Sequence, residues 1–184
     1  MLRASMVIVA AMMSFGTACC MHAQQPSGAK TKRPTLFAPD DENRGFKGSV
    51  PPSDAVLDAL LATDEAKESR EGLSGHNREY ARELFQAVRI DIGDAAEEAY
   101  IVEGSWPMSG ADNIWFWIVR VVHDKAHVLL FTNGLTVTIL SHRTNGYRDI
   151  KEEWGGNAGW GSRVYQYSGS RYKLVRKRWQ DAKP

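Results

Sequence analysis

Three carboxylates near the middle of the C-terminal half come closest to a catalytic pattern in this 184-residue chain. Asp149, Glu152 and Glu153 precede Trp154, and two carboxylates beside an aromatic ring can divide the acid and nucleophile roles of glycoside hydrolysis. Adjacent strand residues point to opposite faces, so at most one glutamate can join Asp149. The chain has no G-x-S-x-G, H-E-x-x-H or phosphate-loop motif. The sequence therefore favours binding over catalysis, with a glycan hydrolase using Asp149 and Glu152 or Glu153 as the alternative.

Two histidines flank a predicted hairpin turn in "HDKAH". If the register brought His123 and His127 face to face, they could bind a transition metal together with Asp124. This spacing brings ligands together on a helix, whereas across a hairpin it depends on the register. Solvent-exposed histidines are the favoured interpretation, and we expect no metal and no cofactor.

Aromatic and basic residues in the C-terminal half are the candidates for binding. All six tryptophans lie between positions 106 and 179. Two of them bracket the glycine-rich "EEWGGNAGWGS", which would either cover the core or offer an aromatic loop to a sugar ring or a protein. The tail "RYKLVRKRWQDAK" would bind an anionic polymer or discourage strand pairing at a sheet edge. The candidate binding residues are Trp154, Trp160, Arg176, Lys177 and Arg178.

The first 23 residues have the pattern of a signal peptide. One arginine precedes an uncharged stretch that is short for a membrane span, and small residues lead to a cleavage position after Ala23. An alternative is the lipobox-like "GTAC", in which Cys19 would be lipidated. Both cysteines lie in this segment, so we expect a mature domain with no disulfide. We also expect no transmembrane span in the mature chain. The predicted location is periplasmic or extracellular, with lipid anchoring as the alternative.

The charges of the chain are divided unevenly. Residues 24–104 hold 10 Lys and Arg against 16 Asp and Glu, and residues 105–184 hold 12 against 6. The halves either neutralise each other in the fold, which is the favoured interpretation, or present a basic face to an anionic partner. An envelope protein, an anionic glycan or a lipid would fit an exported chain, and we expect no nucleic acid.

The N-terminal part predicts a linker and helices. Residues 24–52 combine Pro, Gly, Ser and charges without periodicity, which indicates a flexible linker. A single domain then spans 53–184. Its helical lead-in, 53–83, has Ser53 or Asp54 as N-cap, apolar residues at helical spacing and a short second helix in "NREYARELFQA".

The remaining sequence predicts eight short antiparallel strands. They lie near 85–91, 98–104, 114–122, 127–132, 135–141, 147–153, 162–168 and 171–178, with tight turns in "HDKAH", "TNGL", "TNGY" and "YSGS". Residues 88–91 match 137–140 at an offset of 49, and later strands match at 49, 48 and 46. This indicates two four-strand meander units, 85–132 and 135–178.

Two four-strand units are too few to close a propeller, which needs about four blades or more. We therefore predict a mainly β (α+β) domain in which the two units form a sandwich or a half-open barrel. One or two N-terminal helices would plug its open edge. A structural relic of a propeller repeat, with no ligand, is a further alternative for its function.

Several segments resemble a family of uncharacterised secreted bacterial proteins with degenerate FG-GAP-like repeats of the integrin propeller type. The resemblance rests on "VRIDIGDAAEEAYIVEGS", "TNGYRDIKEEW" and "VYQYSGSRYKL". It implies four-stranded repeat units, and in such loops convergent oxygens can hold calcium. In this chain, Ala95 and Ala96 stand where an oxygen donor and the bend glycine would be, so no calcium ligand carries over.

Overall fold

The structure, a computed structural model, describes residues 35–38, 46–68, 78–93, 97–105, 109 and 113–182. The signal-peptide prediction and Cys19 lie outside these residues. The described elements, in chain order, are β1 (Thr35–Phe37), α1 (Asp54–Leu61), α2 (Asp64–Glu68), α3 (Arg78–Glu83), β2 (Phe85–Ile90), β3 (Glu98–Gly104), β4 (Ile114–Val122), β5 (Lys125–Gly134), β6 (Thr136–Thr144), β7 (Tyr147–Gly156), β8 (Gly159–Tyr167) and β9 (Tyr172–Asp181).

The strands form two antiparallel sheets. One has the order β1-β6-β7-β8-β9 and the other β2-β3-β4-β5. Buried side chains from both sheets make one core, which includes Ile101, Phe116, Ile139 and Ile150. Burial of each such side chain is worth about 1.5–3 kcal/mol, so this shared core holds the layers together. The predicted mainly β fold, with two meander units in a sandwich, is confirmed.

Each predicted unit corresponds to one sheet. The four consecutive strands β2 to β5 form the first sheet, and β6 to β9 form the second together with β1. The four offsets in the sequence therefore relate β2 to β6, β3 to β7, β4 to β8 and β5 to β9.

Three of the four predicted tight turns are hairpins. His123 and Asp124 both have positive φ between β4 and β5, and Asn145 and Gly146 have φ of 51° and 83° between β6 and β7. Such turns match the twist of the flanking strands. In the third, the backbone N–H of Ser168 donates to the Arg171 carbonyl at 2.9 Å and closes the β8–β9 connection.

The fourth, "TNGL", is not a hairpin, because it carries the chain from one sheet to the other. β5 ends at Gly134 and β6 begins at Thr136, yet these strands lie in different sheets. The N–H of Leu135 donates instead to the carbonyl of Glu153 on β7 at 2.7 Å. A Cβ on Gly134 would lie 2.7 Å from that same carbonyl oxygen, so a glycine is needed at the crossing.

The first helix covers a sheet face. The sequence predicted that it would plug an open edge, and this prediction is wrong. Ser53 caps α1 by accepting a hydrogen bond from the Val56 N–H. Val56, Leu57 and Leu60 follow at helical spacing and are buried against Trp117 on the four-stranded sheet. Because Trp117 alternates with Phe116 along β4, one ring packs under the helix and the other between the sheets.

Part of the predicted flexible linker belongs to the fold. β1 pairs with β6 through residues 35–37. Phe46 is 4% exposed and stacks on Phe116 at 5.9 Å between ring centroids, and Val50 bridges Ala87. Composition indicated a linker because these apolar residues are isolated among polar ones, yet each finds a place on a sheet edge or in the core.

Candidate functional site

The glycine-rich segment is a regular hairpin between β7 and β8, where the sequence predicted a loop. Its strands are paired from Ile150 to Gly156 on one side and from Gly159 to Tyr165 on the other. The pairing sets Trp154 opposite Gly161 and Trp160 opposite Gly155. Two tryptophans and two glycines therefore alternate across the end of this hairpin.

Each indole ring lies on the glycine opposite it. A Cβ on Gly161 would overlap the ring of Trp154, and a Cβ on Gly155 would overlap the ring of Trp160. Since neighbouring strand residues point to opposite faces, the two rings lie on opposite faces of the sheet. These glycines leave the space that the indole rings occupy, which explains why the segment is rich in both glycine and tryptophan.

On the face that continues the core, Trp154 is joined by a second ring and two cations. Trp179 of β9 lies with its ring centroid 6.3 Å from that of Trp154, at an interplanar angle of 28°. The Arg163 guanidinium lies 4.4 Å from the Trp154 centroid and the Lys177 ammonium 5.7 Å from it. Cations held over an indole interact with its ring electrons. We call these four residues the Trp154 cluster.

The cluster is connected to the interior through Arg163. Its guanidinium donates to the Asn133 side chain at 3.2 Å and to Glu152 Oε2 at 3.3 Å. Glu152 is fully buried and also accepts from the Thr132 hydroxyl at 3.3 Å, so it bridges the two sheets. The hydrogen bonds to Asn133 and Glu152 therefore fix the Arg163 guanidinium while its planar face remains over the Trp154 ring.

Burial makes Glu152 a weaker acid than an exposed glutamate. Loss of hydration raises the pKa of Glu152 from 4.5 to about 7, although Arg163 and the Thr132 hydroxyl act to lower it. Its second oxygen, Oε1, has no hydrogen-bond partner among the described residues. Proton uptake near neutral pH is the consequence, because a neutral carboxyl is cheaper to bury than a charged one.

A second acid is buried near the same end of the sandwich. Glu103 on β3 is 6% exposed, and burial raises its pKa from 4.5 to about 7. Its Oε2 has no hydrogen-bond partner within the described part of the chain. Phe116 lies opposite it on β4, and Thr132 lies opposite Phe116 on β5, so Glu103 shares the inter-sheet face of the four-stranded sheet with Thr132.

The opposite face of the second sheet carries the other predicted binding residues. Arg178 lies opposite Ser162 on β8, and Arg176 lies opposite Val164. Alternation places both on the same face as Trp160, which is 61% exposed. The five predicted binding residues thus divide between two faces of one sheet end, with Trp154 and Lys177 on one and the other three on the second.

Arg163 and Trp179 are the site residues that the sequence analysis did not single out. Counted outward from the central Asn-Ala pair of "WGGNAGWG", each tryptophan falls opposite a glycine, and this spacing would have indicated the cross-strand Trp and Gly contacts. Extending that register to β9 brings Trp179 opposite Gly161 and Lys177 opposite Arg163. The contact of Arg163 with Glu152 follows from the same register.

The three candidate catalytic carboxylates do not converge. Asp149 binds His142 at 2.7 Å and Gln166 at 3.0 Å on the outer face of the sheet. Glu152 points into the sandwich toward Thr132, and Glu153 pairs with Lys151 at 2.7 Å. Asp149 and Glu152 are therefore separated by the sheet and cannot flank one sugar ring.

The two turn histidines also remain apart. His123 sits in the turn, whereas His127 is opposite Arg120 on β4. Within the described ranges no group of three His, Cys, Asp or Glu side chains is placed to hold a metal. His127 and Arg120 instead help to line a depression of about 560 Å³ between α1, the β4–β5 hairpin and the β8–β9 turn.

The calcium-type loop is only partly described, because residues 94–96 lie outside the described part. Glu97 accepts a hydrogen bond from the Tyr147 hydroxyl and lies 3.6 Å from an Arg120 nitrogen. This carboxylate is therefore engaged by the neighbouring strands.

Comparisons of the chain with protein-family models, with curated proteins and with solved structures find no match. No helix among the described residues is long and apolar enough to cross a membrane.

Proposed function

We propose that this chain is an exported, non-catalytic binding domain of the bacterial envelope, and that its ligand is anionic and binds at the Trp154 cluster. The leader pattern of the first 23 residues supports export. A lack of convergent carboxylates among the described residues supports binding over glycan hydrolysis.

One observation carries the proposal. On the face of the Trp154 cluster, β9 presents a half-exposed Trp179 and an exposed Lys177, and its opposite face adds the exposed cations Lys173, Arg176 and Arg178. None of these four cations forms an ion pair among the described residues. Indole rings next to cations that lack a counter-charge suit a ligand that supplies both an anion and an apolar surface.

The preorganisation of Arg163 favours a ligand site over incidental surface charge. A free arginine loses side-chain entropy when it binds an anion, about 2 kcal/mol in full. Arg163 is already held by Asn133 and Glu152, so much of this cost is met in the folded protein. Rigid cationic groups beside an aromatic ring bind more tightly than mobile ones.

Titration of the mature chain with a heparin-derived hexasaccharide, followed by tryptophan fluorescence at low salt, tests this function. We expect saturable quenching, and at least a tenfold weaker affinity in Lys177→Glu. The matched control is Lys125→Glu, which reverses an exposed charge at the β4–β5 turn and should bind almost as the parent does. Equal weakening by both substitutions would indicate a general charge effect and would contradict a site at the Trp154 cluster.

A further inference from the structure

β9 is the most exposed edge strand among the described elements. Of the other edge strands, β1 has three residues, β2 is bridged by Val50, and β5 has side chains that are mostly buried or half-buried. β9 has ten residues, and all of those after Tyr172 are exposed. Its backbone pairs only with β8 among the described strands, which leaves a row of N–H and C=O groups directed outward.

The side chains of β9 differ systematically between its two faces. Leu174, Lys177 and Trp179 lie opposite inward-facing residues of β8 and share the core side of the sheet. Lys173, Arg176 and Arg178 share the outer side. The edge therefore has a mainly apolar row on one face and a cationic row on the other.

Protection against self-pairing explains only half of this pattern. Two antiparallel β9 strands would bring their cationic outer rows together, and like charges opposite each other destabilise a sheet. An edge built only for protection would not also expose Leu174 at 51% and Trp179 at 49%. The apolar row is what an edge needs in order to bind a different strand.

We propose that β9 accepts an extended, acidic segment of a partner protein as a sixth strand of this sheet. This inference rests on the proposed function and names the class of its ligand. The partner strand would alternate acids, facing Arg176 and Arg178, with apolar residues facing Trp179. A register shift between Val164 and Tyr165 interrupts the β8–β9 ladder, so the continuous docking edge is Arg176–Asp181.

A polypeptide fits this edge better than a polysaccharide does. Main-chain hydrogen bonds supply affinity in strand addition, and alternate side chains supply specificity. A glycan or lipid headgroup could satisfy the cations, but it would leave the outward N–H and C=O groups of β9 in water and would not match the period of two along the strand.

The test uses the mature chain and three probes. The first is a fluorescein-labelled decapeptide of alternating Glu and Val. The second is the same peptide N-methylated at alternate backbone amides, which keeps its charge but removes the donors of one edge. The third is the heparin hexasaccharide. Fluorescence anisotropy gives affinities, and hydrogen exchange reports the backbone amides of β9.

We expect the unmethylated peptide to bind and to slow exchange within Arg176–Asp181, with at least tenfold weaker binding after N-methylation. The double variant Arg176→Glu with Arg178→Glu should lose the Glu-Val peptide and gain a Lys-Val peptide of the same length. Arg171→Glu, which changes an exposed charge just outside β9, is the matched control and should retain the Glu-Val peptide.

Equal binding of the methylated peptide, or unchanged exchange in β9, would overturn strand addition. If the hexasaccharide binds through Lys177 while the Glu-Val peptide does not bind, strand addition fails and the proposed function stands. If neither probe binds, both fail. A thermal melt of each variant confirms that a lost affinity is not lost folding.

Discussion

Arg163 lies over the indole ring of Trp154, with 4.4 Å between the guanidinium carbon and the ring centroid. The same guanidinium donates to the fully buried Glu152 at 3.3 Å. One side chain thus joins the exposed aromatic surface to an acid between the sheets. The stability of the sandwich and the shape of the candidate site are therefore expected to change together.

Removal of Arg163 should destabilise the protein in a pH-dependent way. Arg163→Ala leaves the Glu152 carboxylate without its cation, and we expect a loss of about 2–3 kcal/mol in the free energy of unfolding at pH 8. At pH 5 the loss should be smaller, because Glu152, with a pKa of about 7, takes up a proton. Urea denaturation at the two pH values measures both losses.

The double variant Arg163→Ala with Glu152→Gln serves as the control for that measurement. With no acid left at position 152, the double variant should lack the fall in the free energy of unfolding between pH 5 and pH 8 that Glu152 causes in Arg163→Ala. A loss in Arg163→Ala that does not depend on pH would show that the Glu152 charge is not the cause.

Glu103 should make the protein less stable as the pH rises. Its pKa is about 7 in the fold against an ordinary 4.5, so between these values the unfolded chain releases a proton that the folded chain keeps. The contribution of protonated Glu103 to the free energy of unfolding is complete below pH 4.5 and is lost as the pH rises through 7. Glu103→Gln should therefore raise the free energy of unfolding by up to ~3 kcal/mol at pH 8 and change it little at pH 4.

The matched control is Glu79→Gln on α3, whose side chain is 73% exposed. It should alter stability by less than about 0.5 kcal/mol at either pH. Thermal melts of both variants across pH 4–8 provide the comparison, and a Glu103→Gln profile parallel to that of the parent would contradict the account.

The contact between the Trp154 ring and Gly161 can be tested by adding one methyl group. In Gly161→Ala the new Cβ would collide with the indole, so the ring must move. We expect a cost of about 1–3 kcal/mol, together with a red shift of tryptophan emission as Trp154 leaves the sheet. Gly156→Ala in the same hairpin meets no atom within 4 Å and is the control, with an expected change below about 0.5 kcal/mol. A similar loss of stability in the two variants would contradict this contact between Trp154 and Gly161.

Mass spectrometry of the mature protein from a bacterial host distinguishes the two processing routes. Cleavage after Ala23 predicts an unmodified chain that begins at Gln24. A lipid-modified mass at Cys19, abolished by Cys19→Ser, would instead show the anchored form. Detection of the intact Met1 in protein that stays in the cytoplasmic fraction would contradict both, and with them the proposed export.

Local features of the fold were predictable because they depend on neighbouring residues. Ser53 caps the first helix, Asn145-Gly146 forms a turn, and the four-strand periodicity specifies two sheets. The crossing at Leu135 was not predictable, since "TNGL" has the composition of a hairpin and only tertiary packing separates the two outcomes. β1 and Phe46 were missed for a similar reason, because isolated apolar residues carry no periodic signal.

The candidate site shows the same division. Trp154, Trp160 and the basic tail were visible by residue type, whereas the Arg163–Glu152 pair depends on the register of β8 and on contact between sheets. Glycine was interpreted as a breaker of strands, although Gly155 and Gly161 are placed under indole rings. Side-chain shape across a strand pair, and not backbone propensity alone, explains their positions.

The chain order of the strands also has a consequence for how the molecule folds. Apart from β1 with β6, every strand pair joins consecutive strands, so nearly all ladders close over short stretches of chain. Short closures cost little entropy, and topologies of this kind reach the native state faster than β proteins with distant pairings. We therefore expect each meander to form from its own turns before the distant strand β1 pairs with β6.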